Sequence, residues 1–142
     1  VPAALVERFE ESCKTFQGGC PELNQAIVAT FMAEGHFGRH IQRMRKLYSE
    51  RRAMAVNGLK SVLGERIHID ANPGGMHLIL RLNASCADSL MVQRMREAGL
   101  FAEALSEWHQ GTDKPSGLLL GFANIDSLAS AQALGQRILA LM

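Results

Sequence analysis

The sequence predicts an α+β fold in which helices pack on one face of a small, mostly antiparallel sheet. Two observations lead to this prediction. As far as Leu63, apolar residues recur every three or four positions, which is the period of an amphipathic helix. From Ile67 onwards, short alternating or apolar runs typical of strands are interspersed with two further helical patterns. The order is β-β-α-β-β-α, as in a helix layer on a sheet.

The first two predicted helices are short and amphipathic. Gly18-Gly19 interrupts the first. Pro21 then stands in the first turn of the second, where a helix tolerates proline. Both helices have apolar faces but little sheet of their own to cover, so we interpret them as parts of something larger. The two faces consist of Leu5, Phe9, Cys13 and Phe16, and of Leu23, Ile27 and Phe31.

The longest helix is predicted from about Arg39 to Leu63, after an interruption at Gly35 and Gly38 and before a C-cap at Gly64. Basic residues surround its apolar face. They could contact DNA, or they could form a solvated surface with salt bridges to Glu7, Glu11 and Glu50. The formal net charge of the chain is only +1, which favours the solvated surface.

The second half alternates strands and helices. Strands are predicted at 67–69, 76–82, 100–105 and 117–123, and the apolar run of the second strand predicts that it is well covered. Ser85 and Asp88 have the spacing of a capping box that opens a helix ending at Gly99. A closing amphipathic helix is predicted over 127–141.

Composition excludes several classes of protein. The chain has 142 residues with 47% hydrophobic and 20% charged residues, as in an ordinary globular domain. No apolar run could span a bilayer, and we see no signal peptide. The three cysteines, Cys13, Cys20 and Cys86, form no C-x-x-C pair, so a disulfide scaffold or a thiolate zinc site is not expected and a reducing cytoplasm fits.

Several segments together resemble one family. FMAEGHFGRHIQRMRKLYSERR (31–52) is similar to the junction segment of fold-type-I aminotransferase-like proteins, in the form found in the MocR subfamily of GntR-type regulators. GGMHLIL (74–80), LFAEALSEW (100–108) and GLLLGFANI (117–125) resemble the strands that follow. VPAALVERF and PELNQAIVATF resemble the helices just downstream of the cofactor lysine.

The resemblance implies an architecture. Residues 1–34 would be remnant helices of the aminotransferase large domain, and residues 35–142 the C-terminal small domain of a fold-type-I, pyridoxal-phosphate-dependent protein. Such regulators carry a DNA-binding winged helix elsewhere in the polypeptide and work as cytoplasmic homodimers. They sense the cofactor or its adduct with an amine or amino-acid effector. The small domain of a catalytic class I/II aminotransferase is the alternative, and a free-standing dimerisation or binding module that never had a cofactor is a third possibility.

The cofactor lysine of the family is not expected in this chain. That lysine lies in a Ser-x-x-Lys segment followed by Pro-x-x-Arg-x-Gly, and no such segment occurs here. The DNA-binding module has no counterpart either. We therefore expect no covalently bound pyridoxal phosphate and no catalytic residue in this chain. The four lysines are Lys14, Lys46, Lys60 and Lys114.

Five residues are candidates for effector binding. Gly75 could allow a ligand to approach the backbone, or it could simply form a turn. His77 follows on the strand, where a packed core histidine is the simpler interpretation. Ser106, Glu107 and Trp108 form a polar segment with the only tryptophan of the chain, which could bind the effector or merely cover the sheet edge.

Two departures from the family pattern bear on the effector. Glu107 stands near the place where the branch that senses γ-aminobutyrate has an arginine for the effector carboxylate, and an acidic side chain favours an amine instead. The arginine typical of aminotransferases near the last strand is missing from 118–120, which favours a regulator over an enzyme. His36 and His40 have the spacing of metal ligands, but a third ligand is not evident, and we expect no metal site.

Overall fold

The computed structural model describes residues 1–16, 21–71, 74–83, 87–111 and 115–142. Five predicted features involve residues outside these ranges: the break at Gly18-Gly19, the turn at Asn72-Pro73, Ser85 of the capping box, Lys114, and the cysteines Cys20 and Cys86. The described residues form two units, Val1–Met44 and Arg45–Met142.

The first unit is helical. A single 3-10 turn, Ala3–Leu5, leads into helix α1 (Val6–Phe16), and helix α2 spans Glu22–Ala33 with Pro21 at its N-cap. Gly35 adopts φ 75°, a left-handed conformation that glycine adopts without strain, and helix α3 (His36–Leu63) begins directly after it. Gly38 therefore lies inside α3, and the predicted interruption is confined to Gly35.

The second unit contains the end of α3 and all the strands. A 3-10 turn, Gly64–Arg66, follows α3, and Gly64 has φ 53°, as expected for a glycine that ends a helix. A further 3-10 turn spans Leu105–Trp108. The remaining elements are β1 (Ile67–Ile69), β2 (His77–Leu82), α4 (Asp88–Glu97), β3 (Glu103–Ala104), β4 (Leu118–Gly121) and α5 (Leu128–Leu139).

The four strands form one sheet in the order β1-β2-β4-β3, and every neighbouring pair is antiparallel. The strand predicted over 100–105 is reduced to two residues, because the chain turns into the 3-10 segment at Leu105. Ser127 caps α5 through a reciprocal pair of hydrogen bonds with Ser130. The predicted α+β class, with helices on one face of an antiparallel sheet, is confirmed.

One face of the sheet is buried under helices α3, α4 and α5. Alternation places Leu78 and Leu80 of β2 on this inner face, opposite Leu120 and Leu118 of β4. The helices contribute apolar side chains to the same core, among them Leu59, Leu63, Met91, Met95 and Ile138.

The other face of the sheet, here called the outer face, is less covered. The register pairs Ile79 with Leu119 on this face, and both side chains are only half-buried. Strand β2 is thus buried on alternate residues and not on both faces, so the prediction of a well-covered strand is wrong. The outer face also carries His68, His77, Arg81 and Glu103.

Helices α3 and α5 approach each other closely at a pair of small residues. A Cβ atom on Gly58 would overlap the Cβ of Ala131, and it would stand 3.1 Å from the backbone nitrogen of Gln132. Both Gly58 and Ala131 are fully enclosed. The absence of a side chain at position 58 therefore sets how near the two helices come.

Basic residues of α3 attach the helix to the loops at one end of the sheet. Arg51 donates to the backbone carbonyl of Ala123, and Arg52 donates to the carbonyl of Asp70 at 3.2 Å. The Asp70 carboxylate accepts from Nε of Arg81 at 3.1 Å and from Nη2 of Arg81 at 2.9 Å. Within the described ranges, no basic residue of α3 forms a salt bridge with Glu7, Glu11 or Glu50.

Candidate functional site

The Leu105–Trp108 turn contains three of the predicted site residues, and a buried carboxylate from another element holds it. Asp88 is the first residue of α4 and is only 3% exposed. Its Oδ1 accepts from the hydroxyl of Ser106 at 2.6 Å, and its Oδ2 accepts from the backbone N–H of Ser106 at 2.9 Å. Ser106 is thus engaged within the protein through its hydroxyl and its amide.

Asp88 has two further donors. The N–H of Gly117, at the entry to β4, donates to Oδ2 at 3.0 Å, and the N–H of Ser89 donates to Oδ1 at 2.8 Å. Among the described residues no cationic side chain contacts this carboxylate. Four neutral donors and the N-terminus of α4 therefore stabilise a buried negative charge.

The pKa of Asp88 reflects a balance of opposing effects. Burial is the largest single effect and raises the pKa, because desolvation disfavours the charged form. Hydrogen bonds from the Ser106 hydroxyl and from the amides of Ser106, Gly117 and Ser89 act in the opposite direction. Together they outweigh burial, so the pKa of Asp88 lies below its ordinary value.

The other end of the turn lies beside the outer face. The indole Nε1 of Trp108 donates to Oε2 of Glu103 at 3.0 Å, while the side chain remains 67% exposed. Glu103 pairs with Leu119, so its side chain lies on the outer face of β3. Glu107 is exposed between them. The turn therefore presents an aromatic surface with carboxylates close to it.

Gly75 and His77 lie at the start of β2. Gly75 has φ 78° and a Cβ there would meet nothing within 4 Å, so backbone conformation and not space requires glycine. His77 is exposed, and its register partner is Gly121 on β4. The interpretation of His77 as a packed core histidine is wrong, because residue 77 faces outward. His77, Leu119 and Glu103 share the outer face.

Leu119 occupies the centre of that face. It is the outward residue of β4, between Ile79 on one side and Glu103 on the other. The apolar side chain means that this position supplies no charge for a ligand carboxylate. The sequence has an apolar run at 118–120, and the register identifies Leu119 as its outward-facing member.

A cavity of about 540 Å³ adjoins β4 and α5, a volume in the range of small-molecule sites. The guanidinium of Arg137 borders it and donates to the carbonyl of Ala98 at 2.7 Å. Asn124 and Ser130 also line it. These residues come from separate segments and form no local motif, so the sequence alone does not single them out.

The histidines considered as metal ligands have other contacts. His36 accepts from Arg39 at its Nδ1 (2.9 Å), its Nε2 lies 3.2 Å from Glu34, and its ring stacks on Phe31. The described part of the chain contains no group of three His, Cys, Asp or Glu side chains that could hold a metal ion. None of the described helices combines the length and apolar character needed to cross a membrane.

Lysines suited to a Schiff base are usually desolvated. Lys14 is exposed and pairs with Glu10 at 2.9 Å. Lys46 and Lys60 are also exposed on α3. These three side chains are therefore not desolvated in this structure.

Comparison with solved structures defines the class of fold. A kynurenine aminotransferase from Pyrococcus horikoshii matches 97% of this chain with a TM-score of 0.77 at 18% identity. LysN, an α-aminoadipate aminotransferase from Thermus thermophilus complexed with N-(5'-phosphopyridoxyl)-L-leucine, matches 100% with a TM-score of 0.74 at 18% identity. The chain has an aminotransferase-like fold and covers 35% and 38% of these two structures, respectively.

The curated relatives are transcription regulators. The probable rhizopine catabolism regulatory protein MocR of Rhizobium meliloti is 32% identical over 127 residues, which are 89% of this chain and 26% of that protein. The pyridoxine biosynthesis regulator PdxR of Corynebacterium glutamicum is 30% identical over 106 residues, or 73% of this chain and 22% of that protein. No protein-family model matches the chain.

These comparisons confirm the resemblance seen in the sequence. Over most of its length the chain matches MocR- and PdxR-type regulators of the GntR group, and its fold is that of their aminotransferase-like part. The chain spans about a quarter of the length of the curated relatives.

Proposed function

We propose that this chain is the effector-sensing C-terminal part of a pyridoxal-phosphate-dependent, aminotransferase-like transcription regulator. The observation that carries the proposal is the match to regulators over 89% of the chain, combined with an aminotransferase-like fold. In the longer polypeptide, a separate module would bind DNA and the protein would act as a cytoplasmic homodimer. Movement of this domain would report whether the effector site is occupied.

We place the cofactor lysine outside this chain. Support comes from the exposure of Lys14, Lys46 and Lys60, and from the lack of a Ser-x-x-Lys segment in the sequence. Pyridoxal phosphate would be held elsewhere in the longer polypeptide, and its reactive end would meet the effector near the outer face.

The effector site would consist of the Leu105–Trp108 turn and the start of β2. Trp108 would offer an aromatic face and Glu107 a carboxylate, a combination that suits a cationic amine. Gly75 and His77 would border the site across Leu119. For an amino-acid effector, Arg137, which borders the cavity at β4 and α5, would be a source of positive charge for the carboxylate.

The single tryptophan allows a direct test. We would titrate the chain with butylamine and with butyrate, an amine and a carboxylate of equal length, and record Trp108 emission. The expected result is a saturable change with butylamine and a smaller response to butyrate. Emission that stays constant with both compounds would contradict the proposal.

The alternative is the small domain of a catalytic aminotransferase, which the fold alone would equally allow. The sequence upstream of this chain separates the two. A winged helix there supports the regulator, whereas an aminotransferase N-terminal arm supports the enzyme.

We also propose that residues 1–34 are remnant helices of the large domain and that residues 35–142 form the small domain. Support comes from α1 and α2, neither of which contains a buried residue. Large apolar side chains stay exposed on both helices, including Phe9 at 54%, Phe16 at 85% and Leu23 at 71%. Isolated surfaces of this kind usually pack against another part of a protein.

Changing this apolar surface is therefore expected to leave the second unit intact. The double substitution Phe9→Ser and Leu23→Ser should lower binding of the dye ANS severalfold and change the free energy of unfolding of residues 45–142 by less than about 0.5 kcal/mol. ANS fluorescence and urea unfolding measure the two effects. A stability loss above about 1.5 kcal/mol would mean that α1 and α2 pack within this chain after all.

A further inference from the structure

The carboxylate of Asp88 links three segments that are distant in sequence. It lies at the start of α4, 18 residues before Ser106 and 29 residues before Gly117. Only one of its four donors, the N–H of Ser89, belongs to its own helix. A residue that merely capped α4 would have accepted from that helix alone. The other three donors fix the start of the Leu105–Trp108 turn against the entry to β4.

We propose that Asp88 is a positioning residue of the effector site: it holds the turn that presents Glu107 and Trp108, and so determines how often the site is ready to bind. This inference rests on the proposed function, because it gives the anchored turn a role in effector binding. Asp88 itself touches no effector in this arrangement, since it is buried beneath the turn.

Side-chain hydrogen bonds hold the exposed turn at two residues, Ser106 and Trp108. Ser106 is held from the inside by Asp88, and Trp108 is held on the outer face by Glu103. Glu107 lies between these two points. If the inner attachment is lost, the start of the turn keeps the backbone hydrogen bond from Leu105 to Gly117, and its other end keeps only the exposed indole hydrogen bond, which is readily exchanged for bonds to water.

An aspartate suits this role better than an asparagine. Three of the four donors are backbone N–H groups, at Ser89, Ser106 and Gly117, which cannot reverse their direction. The two oxygens of a carboxylate accept all four hydrogen bonds. An asparagine has one acceptor oxygen, and its NH2 group would face at least one of the N–H donors. Asp88→Asn therefore keeps the shape of the side chain and removes half of the attachment.

The experiment compares Trp108 in the wild-type chain and in Asp88→Asn. We expect lower steady-state anisotropy of Trp108 in the variant without any ligand, because the turn gains motion. We expect about tenfold weaker binding of butylamine, as occurs when the binding-ready conformation falls to about a tenth of its former population.

Two control variants separate positioning from general destabilisation. Gly58→Ala loosens the same unit at the contact between α3 and α5, away from the turn. Asp126→Asn removes an exposed carboxylate near the N-terminus of α5. Both should keep wild-type anisotropy and affinity. If Asp88→Asn fails to fold, Ser106→Ala serves in its place, because it removes only the 2.6 Å hydroxyl contact. It should lower the anisotropy of Trp108 and weaken butylamine binding by about threefold.

The outcomes distinguish this inference from the proposed function. Unchanged anisotropy and affinity in folded Asp88→Asn, or equal changes in Gly58→Ala, would overturn the positioning role. Lack of binding by the wild-type chain would instead count against the effector site. In that case the anisotropy comparison still decides whether Asp88 holds the turn.

Discussion

Replacing Gly58 with valine is expected to destabilise the second unit by about 3 kcal/mol. Even a single Cβ at this position overlaps Ala131, and the neighbouring backbone of α5 lies 3.1 Å away. Backbone cannot move aside as a flexible side chain can, so α3 and α5 must separate. Their separation would open gaps around Leu59 and Ile138 in the core. Urea unfolding followed by far-UV circular dichroism measures the change.

Alanine at position 58 should show the same effect in a milder form. Overpacking by one methyl group costs roughly 1–3 kcal/mol, but alanine has a better helix propensity than glycine, which offsets about 1 kcal/mol of this cost. Ala131→Gly should relieve part of the loss in Gly58→Ala, and a double-mutant cycle measures this coupling.

Gly38 provides the matched control. It lies in the same helix, but a Cβ there meets nothing within 4 Å. Gly38→Ala should therefore be neutral or stabilising, by up to about 1 kcal/mol. If the substitutions at positions 38 and 58 had equal effects, close helix packing could not be the explanation.

Replacing Asp88 with alanine is expected to cost on the order of 3 kcal/mol of folding free energy. The substitution leaves the amides of Ser106 and Gly117 without their acceptor, and the bond to Gly117 is buried. Each unsatisfied buried donor costs about 1–3 kcal/mol. Comparison of the urea unfolding curves of Asp88→Ala and wild type at neutral pH gives the value.

The contribution of Asp88 to the free energy of unfolding should also depend on pH. Its pKa is lower in the folded protein than the ordinary 3.8, so the unfolded state takes up the proton first as the pH falls. The stabilisation is therefore fully present well above pH 3.8 and is lost as the pH falls through the lowered native pKa. Asp88→Asn cannot titrate and should lack this component.

The difference in unfolding free energy between wild type and Asp88→Asn, measured from pH 7 to pH 2.5, isolates this effect from other carboxylates. It should shrink towards acid pH. A difference that stays constant over this range would mean that the Asp88 pKa is not lowered by folding. Asp126→Asn is the control with an exposed carboxylate, and its difference should be small throughout.

The sequence predicted most elements because their signals are local. The periodicity of α3, the alternation at 67–69 and the cap at Ser127 each depend on residues within a few positions. The predictions were wrong where tertiary contacts determine the length or the burial of a strand. The strand expected over 100–105 is short because the chain turns towards Asp88 at Leu105, and the outward side chains of β2 are exposed or half-buried.

The candidate site was predicted only in part, for the same reason. Trp108 is conspicuous as the only tryptophan, and Glu107 is its neighbour in sequence. The sequence predicts that Asp88 belongs to a local capping box, whereas α4 starts at Asp88 itself and the carboxylate accepts from residues 18 and 29 positions away. Glu103 has a role only because the register of β3 turns it towards Trp108.

The order of the strands has a consequence for association with other molecules. The two edges of the sheet are its shortest strands, β1 with three residues and β3 with two. Each edge exposes few unpaired backbone groups, and a foreign strand would find too short a template for stable pairing. The longer strands β2 and β4 lie inside the sheet with both neighbours in place. Among the described residues, the short edges thus limit edge-to-edge pairing of the kind that leads to amyloid-like stacking.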